Sequence, residues 1–128
     1  MPKIPITTEK APKAVGPYTQ GIRAGDFLFI SGQVAFDPET GKLVEGDITL
    51  QTHQTLKNIR AIVEAAGGTM GNIVKVNAYL TNIEDFKSFN EVYAQYFGKI
   101  PPARCTVEVS RLIPGAIVEI EAMAHFKS

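Results

Sequence analysis

The chain has 128 residues, 45% hydrophobic and 20% charged, with 13 basic and 13 acidic side chains and a formal net charge of zero. That length fits one domain, residues 1–128, with a substantial core. The charge balance argues against a nucleic-acid partner, which draws a basic excess. One cysteine, Cys105, excludes an intrachain disulfide and fits a reducing compartment. The histidines, His53 and His125, stand apart with no Cys/His cluster, so no metal site is expected. No apolar run approaches the ~18 residues of a membrane span. The opening "MPKIPITTEKAPK" has early prolines and no apolar h-region, so the expectation is a cytoplasmic protein rather than a secreted one.

In chain order, "GPYTQGIRAG" (16–25) predicts a short strand, paired through "AGD" with "FLFISGQVAF" (27–36), a run rich in aromatic and β-branched residues. "DPETGK" (37–42) is turn chemistry. Residues 47–68 carry helical spacing, with Thr52, Leu56, Ile59, Val63 and Ala66 on one face, Asp47 or Thr49 as cap and Gly67 beyond the end. His53 adjoins that stripe and is expected to be exposed. "NIVKVNAYLTN" (72–82) alternates, placing Val74, Val76, Ala78 and Leu80 on one face and Lys75, Asn77, Tyr79 and Thr81 on the other. A second helix spans 84–98, burying Phe86, Phe89, Tyr93, Tyr96 and Phe97. Strands from 103 and over 117–126 complete the order β-β-α-β-α-β-β.

This order predicts an α/β (α+β) fold, one mixed sheet with two helices on one face. The other face is expected to carry Tyr79, Arg104, Thr106, Ile117, Glu119 and Met123. That surface is too apolar for open water and too polar for a monomer core, so a homo-oligomer is expected.

Alternation turns Arg104, Thr106 and Glu108 one way and Cys105, Val107 and Val109 the other, while Glu119 and Glu121 point together. If the last two strands are antiparallel neighbours, an arginine and a glutamate flank one small cleft. The plainer alternative is a cross-strand ion pair contributing a fraction of a kcal/mol. "ISGQ" (30–33) is read either as a bulge or as close backbone approach to a ligand. Tyr18 is a core or rim aromatic unless it lines a site, and Asn90 a solvated polar residue unless it binds something. Cys105 reads as a buried, inert thiol.

The pieces "VGPYTQG", "LFISGQVAFDPETG", "QTLKNIRAIVEAAG", "IVKVNAYLTN", "FNEVYAQYFG", "PPARCTVEV" and "VEIEAMA" together resemble the Rid (YjgF) family of reactive intermediate deaminases, over nearly the whole chain. The resemblance implies a chorismate-mutase-like trimer with a central β-barrel and a cleft at each subunit interface. It implies hydrolysis of enamines and imines, such as 2-aminoacrylate, 2-iminopropanoate and 2-iminobutanoate, to 2-keto acids and ammonia, with no cofactor. By resemblance, Arg104 holds the substrate carboxylate and Glu119 serves the attacking water, both as catalytic residues. Tyr18, Ser31, Gly32 and Asn90 match other cleft positions, and Cys105 and Thr106 follow the arginine into it. Many members carry cysteine two places after the arginine. Here that place is Thr106, whose carbonyl can still contact the water, and the cysteine stands at 105.

The chemistry fits these residue types. A guanidinium fork grips a planar carboxylate through two hydrogen bonds, and a carboxylate beside the imine carbon takes a proton from water. The alternatives are a non-catalytic, metabolite-binding or regulatory trimer using the same cleft, and an endoribonuclease or translation inhibitor. Retention of Arg104 favours the enzyme over the first, and zero net charge counts against the second.

Overall fold

The computed structural model describes residues 2–127. Strands β1 (Ile4–Ile6), β2 (Gly21–Ala24) and β3 (Phe27–Gln33) precede helix α1 (Ile48–Ala65). Strand β4 (Ile73–Leu80), helix α2 (Phe86–Phe97), β5 (Ala103–Glu108) and β6 (Val118–His125) follow. They form one six-stranded mixed sheet in the order β1-β2-β3-β6-β4-β5. No helix among the described residues is long and apolar enough to cross a membrane.

The expected elements form, with one addition. Strand β1 holds only three residues with Pro5 in the middle, too short to carry a periodicity. Proline is tolerated there because β1 is an edge strand. The β2–β3 hairpin closes through Gly25 and Asp26, and Gly25 takes φ +59° at the first central position, where a type II′ turn needs glycine. The Asp47 carboxylate caps α1 by accepting from the Leu50 N–H at 3.0 Å.

The core lies between the helices and one sheet face. Leu28 and Ile30 of β3, Val76, Ala78 and Leu80 of β4, and Val118 and Ile120 of β6 are buried against Leu56, Ile59 and Val63 of α1 and Phe89 of α2. Each fully buried side chain of this size contributes about 1.5–3 kcal/mol. On β4 the alternation slips once. The register shifts between Ile73 and Lys75, so Ile73 is buried and Val74 exposed, a bulge that alternation alone does not reveal. His53, expected to be exposed, is half-buried between the helices, with Nδ1 2.9 Å from the Tyr96 hydroxyl.

Buried amides pin the loops that deliver the functional strands. The Gln51 Nε2 donates to the carbonyls of Val44 and Gly115, and its Oε1 accepts from the Ile117 N–H at 3.0 Å. Helix α1 thereby fixes where β6, and with it Glu119, begins.

The topology corrects the expected placement of β5. This strand is not a neighbour of β6. It pairs with β4 alone, in parallel, at the sheet edge, and β6 lies on the other side of β4. A helix between two strands returns the chain in the same direction, so β4–α2–β5 forms a parallel unit. Lateral partners share a face, and Arg104 and Thr106 sit beside the buried Val76 and Ala78. They therefore face the helices, not the open side.

Candidate active site

The candidate residues fall into two groups, one on each side of the sheet. On the helix side, α2 places Phe86, Phe89 and Tyr93 one turn apart along a single stripe. The Arg104 guanidinium carbon lies 5.5, 5.4 and 4.6 Å from their ring centroids. A cation within about 6 Å of an aromatic face is held by the ring quadrupole. No carboxylate of the described residues pairs with Arg104, so its donors are not taken up by a protein anion. Burial pushes the Tyr93 phenol up to about 12, against the pull of the Arg104 charge and of its N–H groups, which come close to the hydroxyl but stop short of hydrogen-bonding geometry. The Tyr93 hydroxyl, Asn90 Oδ1 and Thr106 Oγ1 are all buried without a partner in hydrogen-bonding geometry. Buried polar atoms are rarely left so; besides these three on α2 and β5, Thr52 Oγ1 and Thr55 Oγ1 of α1 are in the same state.

On the open side, Glu119 and Glu121 of β6 lie beside Tyr79 and Asn77 of β4. The two carboxylates are in different states. Glu121 Oε2 accepts from the Tyr79 hydroxyl at 2.5 Å and from Asn77 Nδ2 at 3.3 Å. That hydrogen bond, first among the causes, raises the Tyr79 phenol to about 12 and keeps it a neutral donor. Glu119 receives no such bond from the described residues. Burial, followed by the negative charge of Glu121, raises its pKa above the ordinary carboxylate value.

Strand β3 completes this side. Its register with β6 shifts between Ile30 and Gln33, so Ser31 and Gly32 form a bulge. A Cβ on Gly32 would run into the Glu119 carboxylate and lie 3.1 Å from its Cδ, so a larger residue there would displace the Glu119 side chain. The bulge reading of "ISGQ" is what forms, and the group that approaches Gly32 is the chain's own Glu119 carboxylate. Ser31 Oγ donates to the Thr19 carbonyl at 2.5 Å, tying the bulge to the loop that carries the half-exposed Tyr18.

Cys105 is exposed rather than buried. Its lateral partner is Asn77, so it shares the open face with Glu121. Alternation does turn it away from Arg104, but the buried side is the one Arg104 takes. Arg104, Asn90 and Thr106 thus belong to the helix-side group, and Glu119, Gly32, Ser31 and Cys105 to the open side. The sequence reading gave no role to Tyr79 and Asn77, which hold Glu121. Their signal was the polar alternation of β4 opposite two glutamates. The grip of α2 on Arg104 was likewise hidden in a stripe read only as core.

One mixed sheet backed by two helices makes this a small α+β protein. The family described as Endoribonuclease L-PSP matches residues 8–126. A RutC family protein of Pyrococcus horikoshii is 56% identical over 120 residues, 94% of this chain and 95% of that one. Reactive Intermediate Deaminase A, chloroplastic, of Arabidopsis thaliana is 44% identical over 119 residues, 93% of this chain and 64% of that one. The crystal structure of the Rid family protein YyfA of Yersinia pestis superposes with TM-score 0.94 at 50% identity, covering 97% of this chain and 99% of that one. Escherichia coli TdcF, solved with bound serine, gives 0.93 at 40% identity, covering 98% and 100%. The chain belongs to this Rid (YjgF, L-PSP) family.

Proposed function

We propose that the protein is a hydrolytic deaminase of 2-imino acids and their enamine tautomers, the 2-iminopropanoate and 2-iminobutanoate class. In this reading it works as a homotrimer whose sites lie between two copies, one supplying Arg104 and the other Glu119. The observation that carries this is a ring-held guanidinium with no carboxylate partner and a carboxylate with no hydrogen bond, among the described residues, fixed on opposite faces of one sheet. One chain does not bring them into one cleft, whereas a second copy docked on the open face would. The outer edge of β5 and the half-apolar open face supply surface for such docking. The serine bound to TdcF is a small molecule with a carboxylate, the group that a guanidinium fork recognises.

The reaction then runs in three proton-balanced steps. Arg104 grips the carboxylate and presents the imine carbon to a water beside Glu119. Glu119 takes a proton from that water as its oxygen bonds to carbon and returns it to the imine nitrogen, giving a tetrahedral amino alcohol. Glu119 then takes the hydroxyl proton and passes it to nitrogen as the C–N bond breaks, so the carbonyl of the 2-keto acid forms and ammonia leaves. A carboxylate of raised pKa is the stronger base, which suits the first step. A ribonuclease reading, carried by the family description, is disfavoured by the two carboxylates on the open face, which would repel a phosphate backbone.

Two measurements test the proposal. In a coupled assay an amino-acid oxidase generates the imine, semicarbazide traps it, and the protein competes for it. Mixing inactive Arg104→Ala with inactive Glu119→Gln then tests the shared site. After random subunit exchange about one half times one half, or a quarter, of the sites hold both native residues. Activity should rise to about that fraction. If the mixture stays at the level of the two parents, the site is not shared between copies.

A further inference from the structure

The ring cage of α2 raises a question beyond the roles of Arg104 and Glu119. A guanidinium with no carboxylate partner ordinarily samples many rotamers, which weakens any anion it binds. A protein carboxylate would fix it, but would also occupy the donors that a substrate needs. The three rings offer a third solution. They hold the cation within 5.5 Å of their centroids and bring no carboxylate that would occupy its N–H groups.

Their arrangement is set by the helix. Phe86, Phe89 and Tyr93 follow steps of three and four, so they line one stripe. Phe89 and Tyr93 are anchored in the core and stack at 5.5 Å between centroids, whereas Phe86 stands 38% exposed at the rim. Rigid rings at the base and an accessible ring at the mouth make a socket for the side chain. Parallel pairing with β4 fixes the strand on which Arg104 stands.

We propose that Phe86, Phe89 and Tyr93 are positioning residues that aim Arg104 at a substrate carboxylate, and that the face of the rings, not the Tyr93 hydroxyl, does the aiming. The inference rests on the reading of Arg104 as the carboxylate receptor.

Calorimetric binding of 2-oxobutanoate to the assembled protein tests it, together with KM and kcat for 2-iminobutanoate and for an imine lacking a carboxylate. Phe86→Leu and Tyr93→Leu should each weaken 2-oxobutanoate and raise KM by about threefold to tenfold, the range of one cation–ring contact. Tyr93→Phe should stay within about twofold of wild type. The carboxylate-free imine should react at unchanged rate in all three. Phe86→Leu lies at the surface and keeps the test sound if Tyr93→Leu folds poorly. Arg104→Ala separates the two readings. If it binds 2-oxobutanoate as well as wild type, the carboxylate-receptor reading fails and this inference falls with it. If Arg104→Ala loses binding while Phe86→Leu and Tyr93→Leu match wild type, the cage alone is overturned. An equal loss on the carboxylate-free imine, or a loss in Tyr93→Phe as large as in Tyr93→Leu, would also overturn it.

Discussion

On the helix side of the sheet a lone cation is held by three aromatic rings. On the open side two anions stand two residues apart on one strand, and among the described residues only one of them is hydrogen-bonded. Both arrangements leave one charged group without a countercharge, by different means. Rings restrain the cation without neutralising it. On the open face, Tyr79 and Asn77 bind Glu121 and leave Glu119 beside a fixed negative charge. A free charge thus needs a support that does not neutralise it, and the supports can be perturbed separately from the charges.

The largest effect is expected at the cation itself. Losing one partner of a desolvated, hydrogen-bonded charge pair costs about 2–5 kcal/mol. Arg104→Ala should therefore lose about 30-fold to several thousand-fold in kcat/KM for 2-iminobutanoate, at about 1.36 kcal/mol per decade. Arg104→Lys should lose less, because it keeps the charge and gives up only the planar fork. If Arg104→Ala hydrolyses the imine at the wild-type rate, the rings hold a structural cation only.

Next comes the contrast between the two glutamates. Glu119→Gln keeps shape and removes the base, so kcat should fall by about 100-fold or more, as for loss of a general base. Glu121→Gln keeps an oxygen that can accept from Tyr79 and should cost far less. Steady-state kinetics on both variants, each checked for its assembly, decides the matter. Equal losses would mean that the hydrogen bonds to Glu121 do not mark it as a support.

The sequence made much of this legible and one decisive thing illegible. Alternation placed Tyr79, Glu119 and Met123 correctly on the open face, and helical spacing found the stripe of Phe89, Tyr93 and Phe97. Alternation also paired Arg104 with Thr106 correctly, but it tells only which residues share a side. Which side that is depends on the register against β4, where Arg104 meets Val76. A helix between two strands was signal enough to expect parallel neighbours, and the buried Val76 and Ala78 would then have put Arg104 under α2. Cys105 followed the same error to the wrong face. Other features had weaker signals. Three residues of β1 cannot show a period, and the bulge at Val74 is a departure from the period itself. Of the two outcomes weighed for "ISGQ" the bulge is the one seen, and its glycine makes room for the chain's own Glu119 carboxylate.

The smallest effect concerns stability, and it runs opposite to activity. Burial and the neighbouring Glu121 charge raise the pKa of Glu119 in the folded protein above its value in the unfolded chain. The fold therefore prefers the protonated carboxyl. That preference counts fully toward stability at pH below the unfolded value, near 4.5. It is lost as pH rises through the raised folded value, where ionisation becomes a cost of folding. Glutamine mimics the protonated form at every pH. Glu119→Gln should thus unfold at a higher temperature than wild type at pH 7, by about a few degrees. The gain should shrink as the pH falls and vanish below the ordinary carboxylate range. Tyr79→Phe, which frees Glu121 from one donor but removes no charge, should not reproduce this pH dependence. Thermal melts of the variants from pH 4 to pH 8 read the effect directly. A Glu119→Gln melt that lies below wild type at pH 7, or a gap that does not change with pH, would show that Glu119 is stabilised in its charged form. It would then be a structural anion like Glu121, and the contrast drawn between the two carboxylates would not hold.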